Sequence, residues 1–167
     1  MNKQQTISKP VSLKGVGIHS GNEVNLTFKP ANEDFGYAFC RTDLPGKPII
    51  EADVNYVVST ERGTTLEKNG VNIQTSEHVL AALTGLEIDN VLIEIDSSEP
   101  PIMDGSSKFF VEALIDAGIK VQLKDRNEYV VKEIISYHDE ESGSDITVLP
   151  ADSYEVCLLY TSDAADD

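Results

Sequence analysis

Positive charge is scarce in this sequence: 13 lysines and arginines stand against 29 aspartates and glutamates, for a formal net charge of −16. A phosphate backbone would meet mainly repulsion at long range, which argues against nucleic acid as a partner, although a few local cations and amides can still hold a small phosphorylated ligand. Long apolar runs are missing as well. No stretch approaches the roughly 20 residues that span a bilayer, and the amino terminus, MNKQQTISKP, lacks the apolar centre of a secretory signal. These absences predict a soluble, cytoplasmic chain with no transmembrane segment. Cysteine occurs only at Cys40 and Cys157, far apart and without a CxxC partner, so neither suggests a zinc cluster and both are expected to be reduced thiols. Histidine is limited to His19, His78 and His138. What remains, in 167 residues, is 40% hydrophobic and 25% charged, the balance of a globular protein with one or two small domains.

Strand signals come first along the chain. EVNLTFKP alternates Val24, Leu26 and Phe28 against polar neighbours, the period of a half-buried strand, and should end at Pro30. GTTLEKNGVNIQT carries Asn69-Gly70 between two β-prone runs, a pair that supplies the positive φ values of a tight hairpin. From Thr75, a candidate N-cap, Val79, Ala82, Leu83 and Leu86 recur at helical spacing, with Gly85 as the stop. NVLIEID reads as a strand, and SSKFFVEALIDAG as a second helix with Phe110, Ala113, Leu114 and Ala117 on one face and Gly118 past its end. A sheet packed with paired helices is an α+β arrangement. KVQLKDRNE is polar and shows neither period, so it reads as a boundary; YVVKEIISY and DITVLP then read as strands joined by the turn-rich HDEESGSD, and SYEVCLLY as a candidate third. The expected division is a first domain over 1-120, a linker over 121-128 and the start of a second domain over 129-156. Residues 157-167 read as a non-native tail.

TSEHVLAALTG sets Glu77 beside His78 at a helix start. The helix macrodipole favours a glutamate there, so Glu77 needs no function to explain it. A neutral imidazole also suits that end, where a cation would oppose the dipole, and a neutral imidazole can bind zinc. The motif is not HExxH, because Ala81 and Ala82 follow, so the helix offers one strong ligand where catalytic zinc takes three. His138 falls in an acidic stretch and reads as an exposed loop residue. His19 lies in GVGIHSG, whose glycines precede a strand rather than a helix, which argues against a dinucleotide-binding loop and leaves a plain turn as one reading. Asp104, in EPPIMDGSS, stands directly before the second helix, where an aspartate commonly caps or starts a turn.

GVGIHSG, TSEHVLAALTGLEIDN and PPIMDGSSKFFVEAL, in this order and spacing, make the chain resemble the zinc-dependent UDP-3-O-acyl-N-acetylglucosamine deacetylases of lipid A biosynthesis over roughly residues 3–154. RTDLPG, RGTTL and GSDITVLP are similar to the Bacteroidetes-like form, in which the deacetylase can be fused to a hydroxyacyl carrier-protein dehydratase. The resemblance implies two similar α+β domains, of the kind found as the second domain of ribosomal protein S5, with the active site between them and the second domain incomplete here. It implies Zn2+ as cofactor and UDP-3-O-acyl-N-acetylglucosamine as substrate. By position, His78 matches a zinc ligand, Glu77 the general base, Asp104 the acid that supports a histidine of the second domain, and His19 a substrate-positioning residue at the edge of the site.

The family's remaining ligands lie in a motif of the form HKxLDxxGD, which does not occur in these 167 residues. The chain by itself is therefore expected to be inactive. Two other readings stand beside this one. The first is a non-catalytic single-domain fragment or nucleotide-sugar-binding module, and the second an unrelated amidohydrolase in which the Glu-His pair works with His19 and Cys40.

Overall fold

The first thirty positions build three strands, β1 (Lys3–Ile7), β2 (Val11–Val16) and β3 (Glu23–Pro30), of which β2 and β3 alternate between covered and exposed residues. The chain continues through β4 (Tyr37–Arg41), β5 (Ile49–Glu51), a short 3-10 turn (Val54–Tyr56), β6 (Val57–Ser59), β7 (Thr65–Lys68) and β8 (Val71–Ile73). Helix α1 (Glu77–Gly85), β9 (Val91–Ile95), α2 (Lys108–Ala117) and β10 (Ile119–Asp125) follow, then β11 (Ile135–Asp139) and β12 (Ser144–Val148). The computed structural model describes residues 2–158, which fall into two compact units that divide after Arg126. It is an α+β architecture.

In the first unit the main sheet has the order β2-β3-β9-β4-β5, antiparallel except for the β4/β9 pair. Val24, Leu26 and Phe28 of β3 and Val91, Ile93 and Ile95 of β9 are all fully buried, as period-two strands require when one face is covered. The cover is the two helices, which contribute Val79, Ala82 and Leu83 from α1 and Phe110, Leu114 and Ala117 from α2 to the same core. Phe110 meets Phe28 edge to face, with ring centroids 6.4 Å apart and planes at 87°, a geometry that adds about 0.5–1.5 kcal/mol beyond area burial. A separate antiparallel meander, β6-β7-β8, turns at Asn69 (φ 54°) and Gly70 (φ 76°), the two positive φ values that the Asn-Gly pair predicts. It delivers the chain to the start of α1.

Several sequence expectations shift. Thr75 does not cap α1; Ser76 occupies that position, and its hydroxyl donates to the Thr64 carbonyl (3.0 Å) and accepts no bond from the helix amides. Residues 121–125, expected in a linker, continue β10, which pairs with β1 from Ile7↔Ile119 to Lys3↔Asp125. That strand has no buried apolar face to betray it. It is held by a polar network in which the Asn90 side chain donates to Gln4 Oε1 (2.9 Å) and Gln122 Oε1 (2.8 Å), and Gln4 in turn donates to the Asp125 carbonyl (3.1 Å).

In the second unit β11 and β12 form an antiparallel hairpin, Ile135↔Val148 to Asp139↔Ser144. Residues 129–134, read as part of a strand, have no strand pairing, and residues 153–158 of SYEVCLLY form none either. His138 sits in β11 rather than in a loop, with Nδ1 2.7 Å from Asp145 Oδ1 across the hairpin. Residues 159–167, the greater part of the expected non-native tail, lie outside the described residues.

Candidate active site

The start of α1 is strapped to the turn between β6 and β7 through one residue. The Thr64 carbonyl accepts from the Ser76 amide (3.2 Å) and hydroxyl (3.0 Å), while the Thr64 amide donates to Glu77 Oε2 (2.8 Å). The other Glu77 oxygen, Oε1, lies 3.7 Å from His78 Nε2, and both side chains are about one-third exposed. Gly63 makes this approach feasible. Its φ is +147°, open essentially to glycine, and a Cβ there would stand 3.3 Å from Glu77 Oε1.

Beside this pair is an open cavity of about 220 Å³, lined by His19, Glu61, Arg62, Gly63, Thr65, Gln74 and Thr75. His19 reaches it from the turn after β2; Glu77 and His78 are not among the lining residues, but Gly63, the residue that Glu77 Oε1 approaches, is. Asp104 is placed differently. It lies in the turn before α2, where its Oδ1 accepts the Ser106 amide (3.0 Å) and hydroxyl (2.8 Å), bonds that hold its carboxyl below the ordinary value. Among the described residues it makes no hydrogen bond to Glu77, His78 or His19. The two helix starts are nonetheless neighbours, because the Ser107 hydroxyl donates to the His78 carbonyl (2.9 Å).

Cys40 is buried on β4, its thiol directed at the Lys47 carbonyl (3.6 Å) and pushed up by burial and then by the charge of Glu94. It is not among the residues that line the His19 cavity. Sequence reasoning missed Glu99, a fully buried carboxylate bound to the amides of His19 and Ser20 and to the Thr75 hydroxyl. An acid ahead of two prolines gives no sign of burial in a linear reading. Among the described residues no group of three or more His, Cys, Asp or Glu side chains is arranged to hold a metal ion, and no helix is long and apolar enough to cross a membrane.

The first unit thus presents a partly exposed Glu-His pair at a helix start, near an open cavity. The family model described as LpxC: UDP-3-O-acyl N-acetylglycosamine deacetylase matches residues 4–165. The chain belongs to this deacetylase family. It is 46% identical over 156 residues to the bifunctional enzyme LpxC/FabZ of Chlorobaculum tepidum, a match that takes in 93% of this chain and 33% of that protein. Against the bifunctional enzyme LpxC/FabZ of Bacteroides thetaiotaomicron the identity is 41% over 164 residues, 98% of this chain and 36% of that protein. Against the UDP-3-O-acyl-N-acetylglucosamine deacetylase of Ruthia magnifica it is 44% over 147 residues, 88% and 48%. The chain thus spans about a third to a half of the curated relatives it matches.

Proposed function

We propose that the chain is the amino-terminal part of a deacetylase that hydrolyses the acetamide of UDP-3-O-acyl-N-acetylglucosamine to the free amine and acetate in lipid A biosynthesis. The observation that carries this reading is the Glu77–His78 pair, with one glutamate oxygen anchored on the Thr64 amide and the other turned toward the imidazole. Zn2+ is the cofactor the reading implies, and the donor chemistry fits one corner of such a site. His78 Nε2 is partly exposed and has a carboxylate, not a cation, as its neighbour. A catalytic zinc takes three protein ligands, so His78 is one of the set and the others belong to a second domain. When bound, the metal would acidify water and stabilise negative charge on the carbonyl oxygen.

The residues of this chain have separate tasks in that reaction. Glu77 takes the proton of the attacking water; the Thr64 bond leaves Oε1 as the basic oxygen and fixes its direction. His19 borders the cavity in which the sugar is held. Asp104, kept ionised by Ser106, supplies the negative charge that holds a second-domain histidine protonated for the departing amine. In this reading the first unit is an S5-like domain ending with β10, and the second domain begins at Asn127, so the division expected at residue 120 moves to the end of the strand paired with β1. Fusion to a hydroxyacyl carrier-protein dehydratase accords with the two bifunctional relatives and belongs to the same proposal. Acetate release from the nucleotide sugar by the full-length protein tests the function. Turnover that survives Glu77→Ala undiminished would sink it.

A further inference from the structure

Glu99 is 0% exposed, and the reaction outlined above does not use it. An ionised carboxylate is costly to bury unless its oxygens are filled. Here backbone and hydroxyl donors fill them. The His19 amide lies 3.1 Å from Oε1 and 3.2 Å from Oε2, the Ser20 amide donates to Oε2 at 2.9 Å, and the Thr75 hydroxyl donates to Oε1 at 3.2 Å. Burial alone would raise the carboxyl, but the Ser20 and His19 amides, with the hydroxyls of Ser20 and Thr75, outweigh it and hold it below the ordinary value. The charge therefore stays inside the protein.

The surroundings are shaped to this carboxylate. A Cβ at Gly17 would sit 2.5 Å from Glu99 Oε2 and against Ser20 Oγ, so a side chain there would displace it. Thr75 holds φ +51°, an uncommon conformation for a β-branched residue, in the step just before Ser76 and α1. His19 and Thr75 are also two of the residues that line the cavity beside Glu77. The bonds of Glu99 thus join the turn that carries His19 to the lead-in of the helix that carries Glu77 and His78.

We propose that Glu99 is a positioning residue for deacetylation: its buried carboxylate locks the His19–Ser20 turn to Thr75 and so fixes the cavity wall against which the substrate is held. The proposal rests on the reading of the chain as a deacetylase. Its effect runs through His19, so losses at Glu99 and at His19 do not multiply, whereas independent damage to packing would multiply.

The test uses the full-length enzyme carrying this sequence, with zinc content, kcat and KM measured for wild type, Glu99→Gln, His19→Ala and the double variant. Glutamine keeps the volume but turns an NH2 group toward the backbone donors. Glu99→Gln should raise KM about tenfold with kcat within about threefold and zinc content unchanged. The double variant should be within about twofold of His19→Ala. Hydrogen exchange in residues 17–22 should accelerate about tenfold or more in Glu99→Gln. Multiplicative KM effects, or unchanged exchange in 17–22, overturns the proposal. The exchange readout needs no turnover, so an enzyme without deacetylase activity refutes the functional reading and still leaves the link measurable. If Glu99→Gln does not fold, Gly17→Ala serves in its place: a folded Gly17→Ala enzyme with wild-type KM overturns the proposal equally.

Discussion

The Thr64 amide donates to Glu77 Oε2 at 2.8 Å, which leaves Oε1 as the oxygen facing His78 Nε2 at 3.7 Å. Thr64 belongs to the turn before β7 and Glu77 to the first turn of α1, so the meander and the helix must be in register for the carboxylate to point where it does. Gly63 sits at the tightest point of this contact.

Gly63→Ala should therefore harm the site and the fold together. At φ +147° a Cβ is strained, and here it would also press on Glu77 Oε1 and the Thr75 backbone. A strained position of this kind costs about 1–3 kcal/mol, measurable by denaturant unfolding. In the full-length enzyme kcat should fall more than KM rises. An alanine variant with wild-type stability and kcat would contradict this account of the turn.

Phe110→Ala tests the core that carries the helices. Phe110 is fully buried and packs edge to face on Phe28, and truncating a buried phenylalanine typically costs about 3–5 kcal/mol. Denaturant titration should show a loss in that range. A loss below about 1 kcal/mol would mean that α2 is not seated on β3 as described.

Limited trypsin digestion reads the boundary between the units. Lys120 and Lys124 lie on β10, which is paired to β1, and Lys124 bonds Asp34. Lys132 is exposed and lies in no strand. Cleavage at Lys132 should precede cleavage at Lys120 or Lys124. The reverse order would mean that β10 does not hold against β1.

How much of this was legible beforehand follows from where each signal sits. β3, the Asn69-Gly70 hairpin and both helices announce themselves through local periodicity and turn chemistry. The Glu77–His78 pair is adjacent in sequence, and its helix start was recognisable. β10 was not, because six of its seven residues are exposed and its place depends on β1, more than a hundred residues away. Glu99 was missed for a related reason: its burial depends on the His19 amide, 80 positions distant, and no short window contains both. Thr75 was read as a cap from its residue type, whereas the structure gives that place to Ser76 and uses the Thr75 hydroxyl to bond Glu99.

Acid should expose the contribution of Glu99 to stability. Its carboxyl lies below the ordinary value of 4.5 in the folded chain, so the folded state binds that proton less readily than the unfolded state does. The resulting stabilisation is fully present above the unfolded value and is lost as pH falls through the lower folded one. The difference in melting temperature between wild type and Glu99→Gln should be widest above about pH 4.5 and shrink below it. A gap that stays constant from neutral pH into strong acid would contradict an ionised buried carboxylate.

The central claim is that Glu77 acts as a base and His78 as a metal ligand, and zinc stoichiometry measured alongside rate in the full-length enzyme separates the two roles. His78→Ala should lose zinc and activity together, with partial recovery in excess zinc. Glu77→Ala should retain zinc while the rate falls by about 10²–10⁴, the usual worth of a positioned acid or base. If Glu77→Ala loses zinc as fully as His78→Ala, the glutamate is a ligand and not the base, and the assignment of the α1 start is wrong.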